Sequence, residues 1–247
     1  MNIRYDLLVF DLWQTLISHA FGRNLHSHLS EHLKIKDRSL LKILTDAWMV
    51  TTGLEVRQFA EMVAVWLSHH EGRRNISQTR QQVIDLVDEH TVTDYNKAFW
   101  LKGAEQTLHD LRNEGVPLVL VSNTIPSSKD LAGKLGLFDL LDELILSCDV
   151  GFLKPNPLLF LASKLISEAY RTGKKVCVIG DRFDTDVLGA QVLGFDSIQL
   201  LQVVSVSRKE GLADAVSGDT GPVDTLASGS QAHSYEELRQ LLGMESL

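Results

Sequence analysis

Three short apolar runs constrain the fold of this chain more than any other feature. Leu7–Phe10, Val116–Val121 and Val176–Ile179 are rich in Val, Leu and Ile, and each stops at a polar residue. They are continuous rather than alternating, which is how strands look when both faces of a parallel sheet are covered. Two weaker runs, Glu143–Ser147 and Ser197–Leu201, extend the pattern. Helical periods separate the runs. GAEQTLHDLRNEG (103–115) puts Leu108 and Leu111 on one face and ends at Gly115, a helix C-terminal signal. Segments 157–169 and 185–194 also have helical character. Strand and helix in alternation predict right-handed βαβ units, and so a doubly wound, Rossmann-like α/β sheet.

Residues 18–99 break the alternation, and no strand is predicted there. Phe59, Met62, Val63 and Trp66 follow helical spacing, as do Leu40, Leu44, Ala47 and Trp48, and then Val83, Leu86 and Val87. About 80 helical residues between the first strand and the rest of the sheet suffice for a small domain. The expected division is 1–17 and 100–247 for the core, with 18–99 as an all-helical insert. Residues 208–232 are rich in Gly, Ser, Asp and Ala and read as mostly loop. Ser234 followed by Glu237 is a capping box that opens a last helix over 234–242.

The 247 residues carry a net charge of −8, which argues against a nucleic-acid partner. An anionic substrate remains compatible with that charge, because a bound metal sets the local field of a site. The two cysteines, Cys148 and Cys177, lack metal or redox spacing and read as reduced and buried. No apolar run approaches the ~18 residues of a membrane span. The opening MNIRYDLLVFD holds too short an apolar stretch for a signal peptide. A cytoplasmic protein with no membrane partner is expected.

In an open parallel sheet, ligands bind beyond the carboxyl ends of the strands. Asp11 follows the first run, Ser122-Asn123-Thr124 the second, and Gly180-Asp181 the third, with Asp186 five residues on. Lys154-Pro155 lies in the stretch before the third. A carboxylate can attack phosphate as a covalent nucleophile, but two anions then meet and a cation must lie between them. Asp11, Asp181 and Asp186 offer the hard oxygens that Mg²⁺ takes. Ser122 can hydrogen-bond phosphoryl oxygens, and Lys154 can neutralise charge in the transition state. Thr15 is a further donor or a brace for the turn. Taken singly, each residue has a plainer reading as a cap, a turn or a loop start. The signal is their joint order.

That order resembles the haloacid dehalogenase superfamily of hydrolases. FDLWQTL is similar to its first motif, VSN to its second, KPNP to its third and GDRFDTDVLGA to its fourth. The helical insert matches the family's cap domain in position and size. The resemblance spans the chain apart from 208–232. It implies that Asp11 is the nucleophile and that Ser122, Asn123 and Lys154 hold the transferred group. It further implies that Asp11, Asp181, Asp186 and the main-chain carbonyl of residue 13 bind Mg²⁺. The expected partner is a small phosphorylated metabolite, entering between cap and core.

One position departs from the pattern. In family phosphatases the residue two places after the nucleophile is an Asp that acts as general acid/base. Here it is Trp13, whose indole only donates. The family's haloacid dehalogenases also carry an aromatic residue there, use no metal, and take an Arg from the cap for the halide. Arg23 and Arg38 are placed for that role, and the substrate would then be a small halogenated acid. Their fourth motif resembles Ser-x-Asn, however, where this chain has Asp181 and Phe183. The phosphonate hydrolase and ion-pump branches lack the second Asp as well. Three readings stay open: a slow metal-dependent phosphatase, a metal-free dehalogenase-type enzyme, and a non-catalytic phosphate-binding or regulatory protein. His28 and His32 share a helix face, but with no acidic or cysteine partner they read as a solvated face.

Overall fold

The computed structural model describes residues 3–19, 24–35, 37–202 and 229–244. Six parallel strands run side by side as β5 (Glu143–Leu146), β4 (Leu118–Ser122), β1 (Leu7–Phe10), β6 (Val176–Gly180), β7 (Asp196–Leu200) and β8 (Gly229–Ala232). β1 is central. Phe10 lies level with Leu120 on one side and Ile179 on the other, so the carboxyl ends of three strands open on one place.

Each central strand is buried on both faces, and successive side chains serve different cores. Leu7 and Val9, Val119 and Val121, and Val176 and Val178 face one helical layer. That layer comprises α9 (Pro157–Leu161), α10 (Lys164–Thr172) and α11 (Leu188–Val192). Leu8 and Phe10, Leu118 and Leu120, and Cys177 and Ile179 face the other. It is built from α5 (Ala104–Asn113), α6 (Ser128–Lys134), α7 (Leu137–Leu140) and α12 (Tyr235–Leu242). A short helix α8 (Ser147–Val150) follows β5. Both cysteines are buried and free.

The insertion holds α1 (Leu25–His32), α2 (Arg38–Val50), α3 (Val56–Glu71) and α4 (Ile76–Lys97). These helices close a separate apolar cluster in which Trp48 stacks on Phe59 at 4.3 Å between ring centroids. Ile125, from the loop after β4, packs against the same cluster.

One expectation needs correction, and three are refined. The stretch read as strand-free carries strand residues at both ends: β2 (Ile17–His19) and β3 (Ala98–Trp100) pair antiparallel, a two-stranded stem at the root of the insertion. Three-residue strands are too short for any period to declare them. The segment read as mostly loop over 208–232 ends in a strand, since Gly229–Ala232 pairs with β7 as the sheet edge; 208–228 lies outside the described residues. An edge strand needs no apolar run, and GSQA has none. The helical stretch over 157–169 is divided in two, because Ser163 Oγ accepts from the Ile166 amide and starts α10 afresh. The helix over 185–194 opens with a π-helical turn, Phe183–Val187, before α11. Among the described residues, no helix is long and apolar enough to cross a membrane.

Candidate active site

β1 stops where its chain must turn. The Asp11 amide donates to the Ile179 carbonyl at 2.9 Å, tying the strand end to β6. The chain then folds on itself: the Leu16 and Ile17 amides donate to the Leu12 carbonyl at 2.9 and 3.0 Å, and the Gln14 amide to the Ile17 carbonyl at 2.7 Å. Gln14 sits at φ 59°, a left-handed conformation uncommon outside glycine. Thr15 is fully buried, and its hydroxyl has no hydrogen-bond partner. Trp13 is half-buried and packs against the core that also holds Leu12 and Leu16.

Lys154 is the electrostatic centre. Its Nζ lies 2.5 Å from Asp11 Oδ1 and 2.5 Å from Asp186 Oδ1, with only 3% of its side chain exposed. Asn123 sets its backbone: Asn123 Oδ1 accepts from the Lys154 amide at 2.7 Å, and Nδ2 donates to the Lys154 carbonyl at 3.4 Å. The amide of Asn123, expected at the substrate, is therefore engaged in bracing Lys154. Asp186 is held by the Arg182 amide, which donates to Oδ2 at 3.1 Å. Gly180 makes room for it, since a Cβ there would lie 2.2 Å from Asp186 Cγ.

Asp181 joins these two carboxylates. Among the described residues, Asp11, Asp181 and Asp186 are the group of three potential metal ligands whose donor oxygens all lie within 4.8 Å of one another. Burial pushes the Asp11 carboxyl up to about 6, with Lys154 opposing and Asp186 assisting. Burial, then Asp11 and Asp186, push Asp181 up to about 8, against the pull of Lys154 and Arg182. Burial works against the Lys154 ammonium, yet Asp11 and Asp186 hold it above its ordinary range. Three carboxylates face one ammonium, so full ionisation leaves a surplus of negative charge in a poorly solvated place. A divalent cation with oxygen preference fits that deficit, and the donor set suits Mg²⁺.

The Ser122 hydroxyl, at the end of β4, is buried and also lacks a partner. Buried hydroxyls are normally satisfied, so Ser122 and Thr15 each keep a hydroxyl able to donate. Arg38 is exposed in the first turn of α2, and Arg23 lies outside the described residues. The His28 and His32 rings lie 4.3 Å apart between centroids, tilted at 44°, and the His90 ring of α4 stands 5.4 Å from that of His28. This trio is not among the described groups whose ligand atoms converge. Sequence reading missed Tyr235, whose hydroxyl donates to the Thr15 carbonyl at 2.8 Å. No motif signals a contact across 220 positions.

Residues 5–194 match the family model described as haloacid dehalogenase-like hydrolase. A glyceraldehyde 3-phosphate phosphatase of Methanothermobacter thermautotrophicus is 27% identical over 179 residues, covering 67% of this chain and 76% of that protein. A haloacid dehalogenase-family phosphatase structure from Thermococcus onnurineus superposes at TM-score 0.56 and 21% identity, over 98% of this chain and 100% of the other. A 2-haloacid dehalogenase structure from Pseudomonas syringae pv. Tomato DC3000 does so at TM-score 0.61 and 18% identity, over 97% and 98%. Phosphatase and dehalogenase thus share this fold, and the choice between them rests on the side chains.

Proposed function

The chain belongs to the haloacid dehalogenase-like hydrolases, and from that premise we propose that it is a Mg²⁺-dependent phosphatase of a small phosphomonoester. The observation that carries this reading is the convergence of Asp11, Asp181 and Asp186, two of which pair with a single ammonium. A metal-free dehalogenase has no use for the third carboxylate. The phosphatase of M. thermautotrophicus supports a phosphorylated substrate.

Asp11 attacks phosphorus in line; the bond to the leaving oxygen breaks, and the phosphoryl group rests on Asp11. Ser122 and Thr15 donate to its oxygens. Lys154, braced by Asn123, balances the charge that develops. When bound by Asp11, Asp181, Asp186 and the Trp13 carbonyl, Mg²⁺ supplies Lewis-acid neutralisation of the phosphate. Water then cleaves the aspartyl-phosphate and restores Asp11. Trp13 neither protonates the leaving oxygen nor activates that water. Turnover is therefore slow, or confined to substrates with stable leaving groups. Residues 18–99 act as a cap over this core (1–17 and 100–247), and their side chains select the leaving group.

Trp13 favours a second reading, halide displacement, because a halide leaves without a proton. One panel separates the two: p-nitrophenyl phosphate, acetyl phosphate and 2-chloropropionate, each with Mg²⁺ and with chelator. Phosphate release that chelator abolishes supports the phosphatase. Chelator-insensitive chloride release replaces it, and silence on all three leaves a non-catalytic phosphate-binding role.

A further inference from the structure

The family match ends at residue 194, yet a residue of the last helix reaches the nucleophile turn. Tyr235 is the first residue of α12 and is 1% exposed. Its hydroxyl donates to the Thr15 carbonyl at 2.8 Å. The Asp11 charge also acts on it: burial first, then Asp11, raises the phenol above its ordinary range. The phenol therefore stays a neutral donor.

The Thr15 carbonyl depends on that donor. The neighbouring amides of Gln14, Leu16 and Ile17 are already given to Ile17 and Leu12. Thr15 is fully buried, so water cannot take over, and a buried carbonyl without a donor drives its peptide to turn. Rotation of the Thr15–Leu16 peptide would change the backbone at Thr15, which carries the hydroxyl, and at Leu16, whose amide closes the turn onto the Leu12 carbonyl. α12 is itself anchored, because Arg239 Nη1 lies 2.7 Å from Asp110 Oδ2 on α5, and Ser234 Oγ accepts from the Glu237 amide.

We infer that Tyr235 is a positioning residue for catalysis: through the Thr15 carbonyl it holds the nucleophile turn in register with Ser122 and Lys154. The chain beyond the family match would then complete the active site rather than merely extend the sheet. This inference rests on the phosphatase reading for its kinetic consequence, but its structural consequence can be read without turnover.

The test compares wild type with Tyr235→Phe, which keeps the ring and deletes the donor, and with Asp110→Asn, which loosens the same helix away from the site. Amide hydrogen exchange over residues 11–18 is measured beside p-nitrophenyl phosphate kinetics. For Tyr235→Phe we expect faster exchange in that turn and a kcat lowered roughly ten- to a hundredfold, with KM changed less than about threefold. Asp110→Asn should lower Tm and leave the turn's exchange and kcat alone. Unchanged exchange in Tyr235→Phe overturns the inference, as does faster exchange with unaltered kcat. Equal kinetic loss in Asp110→Asn also overturns it, by reducing Tyr235 to a general prop. If wild type releases no phosphate, the phosphatase reading fails separately, and exchange of the turn alone decides the role of Tyr235.

Discussion

The ammonium of Lys154 lies 2.5 Å from Asp11 Oδ1, although 143 positions separate the two residues. Both side chains are at least nine-tenths buried. Lys154 therefore does two things: it offsets the burial of the nucleophile's charge, and it stands where a transferred phosphoryl group would need a cation. Replacing it by Met removes both. Without metal, Lys154→Met should lose about 3–5 kcal/mol of stability, the usual cost of breaking a buried pair. Its kcat should fall about 10²–10³-fold. Urea denaturation with EDTA and initial rates with Mg²⁺ check the two halves. A stability loss without a kcat loss would place Lys154 outside the chemistry.

Trp13→Asp tests the missing proton carrier. Phosphate release from an alkyl phosphomonoester should rise by up to about 10²-fold, since general acid/base help is typically worth 10²–10⁴. The gain should be smaller with p-nitrophenyl phosphate, whose leaving group needs no proton. Trp13 is packed on the core, so the exchange should also cost about 1–3 kcal/mol, read as a lower Tm. A variant that folds and gains no rate on either substrate contradicts the assignment.

Stability of the metal-free protein should fall with pH in a defined window. Asp11 is pushed up to about 6 and Asp181 to about 8, whereas an unfolded Asp titrates near 3.9, as is usual (~3.9). Raised carboxyls bind more protons folded than unfolded, so their contribution is fully present below about pH 4 and is lost as pH rises through 6 and then 8. Lys154 titrates above this window and does not offset the trend. Calorimetric Tm in EDTA should decline from pH 5 to pH 8, and Mg²⁺ should raise Tm more at pH 8 than at pH 5. A flat profile would mean that Asp11 and Asp181 are better solvated than their geometry indicates.

Gly180→Ala probes the space around Asp186. The added Cβ meets Asp186 Cγ at 2.2 Å, so Asp186 must withdraw. Overpacking of this kind costs about 1–3 kcal/mol. Mg²⁺ affinity, read by isothermal titration, should weaken about 10–100-fold, as it does when a ligand's support is disturbed. Unchanged affinity would remove Asp186 from the metal set.

What the sequence determined by itself is local. Leu7–Phe10 and Val176–Ile179 announce buried strands because continuous apolar runs have few other places to go. Their polar successors Asp11 and Asp181 mark a site because parallel strands align their carboxyl ends. Capping at Ser234 and the helical stripes of the insertion are legible for the same reason, since each depends on residues within one or two turns. Tertiary structure alone decided the rest. The β2–β3 stem joins Ile17 to Trp100, and neither triplet carries a period. Gly229–Ala232 becomes an edge strand only because β7 offers it unpaired backbone groups. The Asn123 side chain braces the Lys154 backbone, and Tyr235 reaches Thr15 from the last helix. A hydrogen bond is decided by position in space to within a few tenths of an ångström, and no spacing of residue types along a chain encodes that across 220 positions.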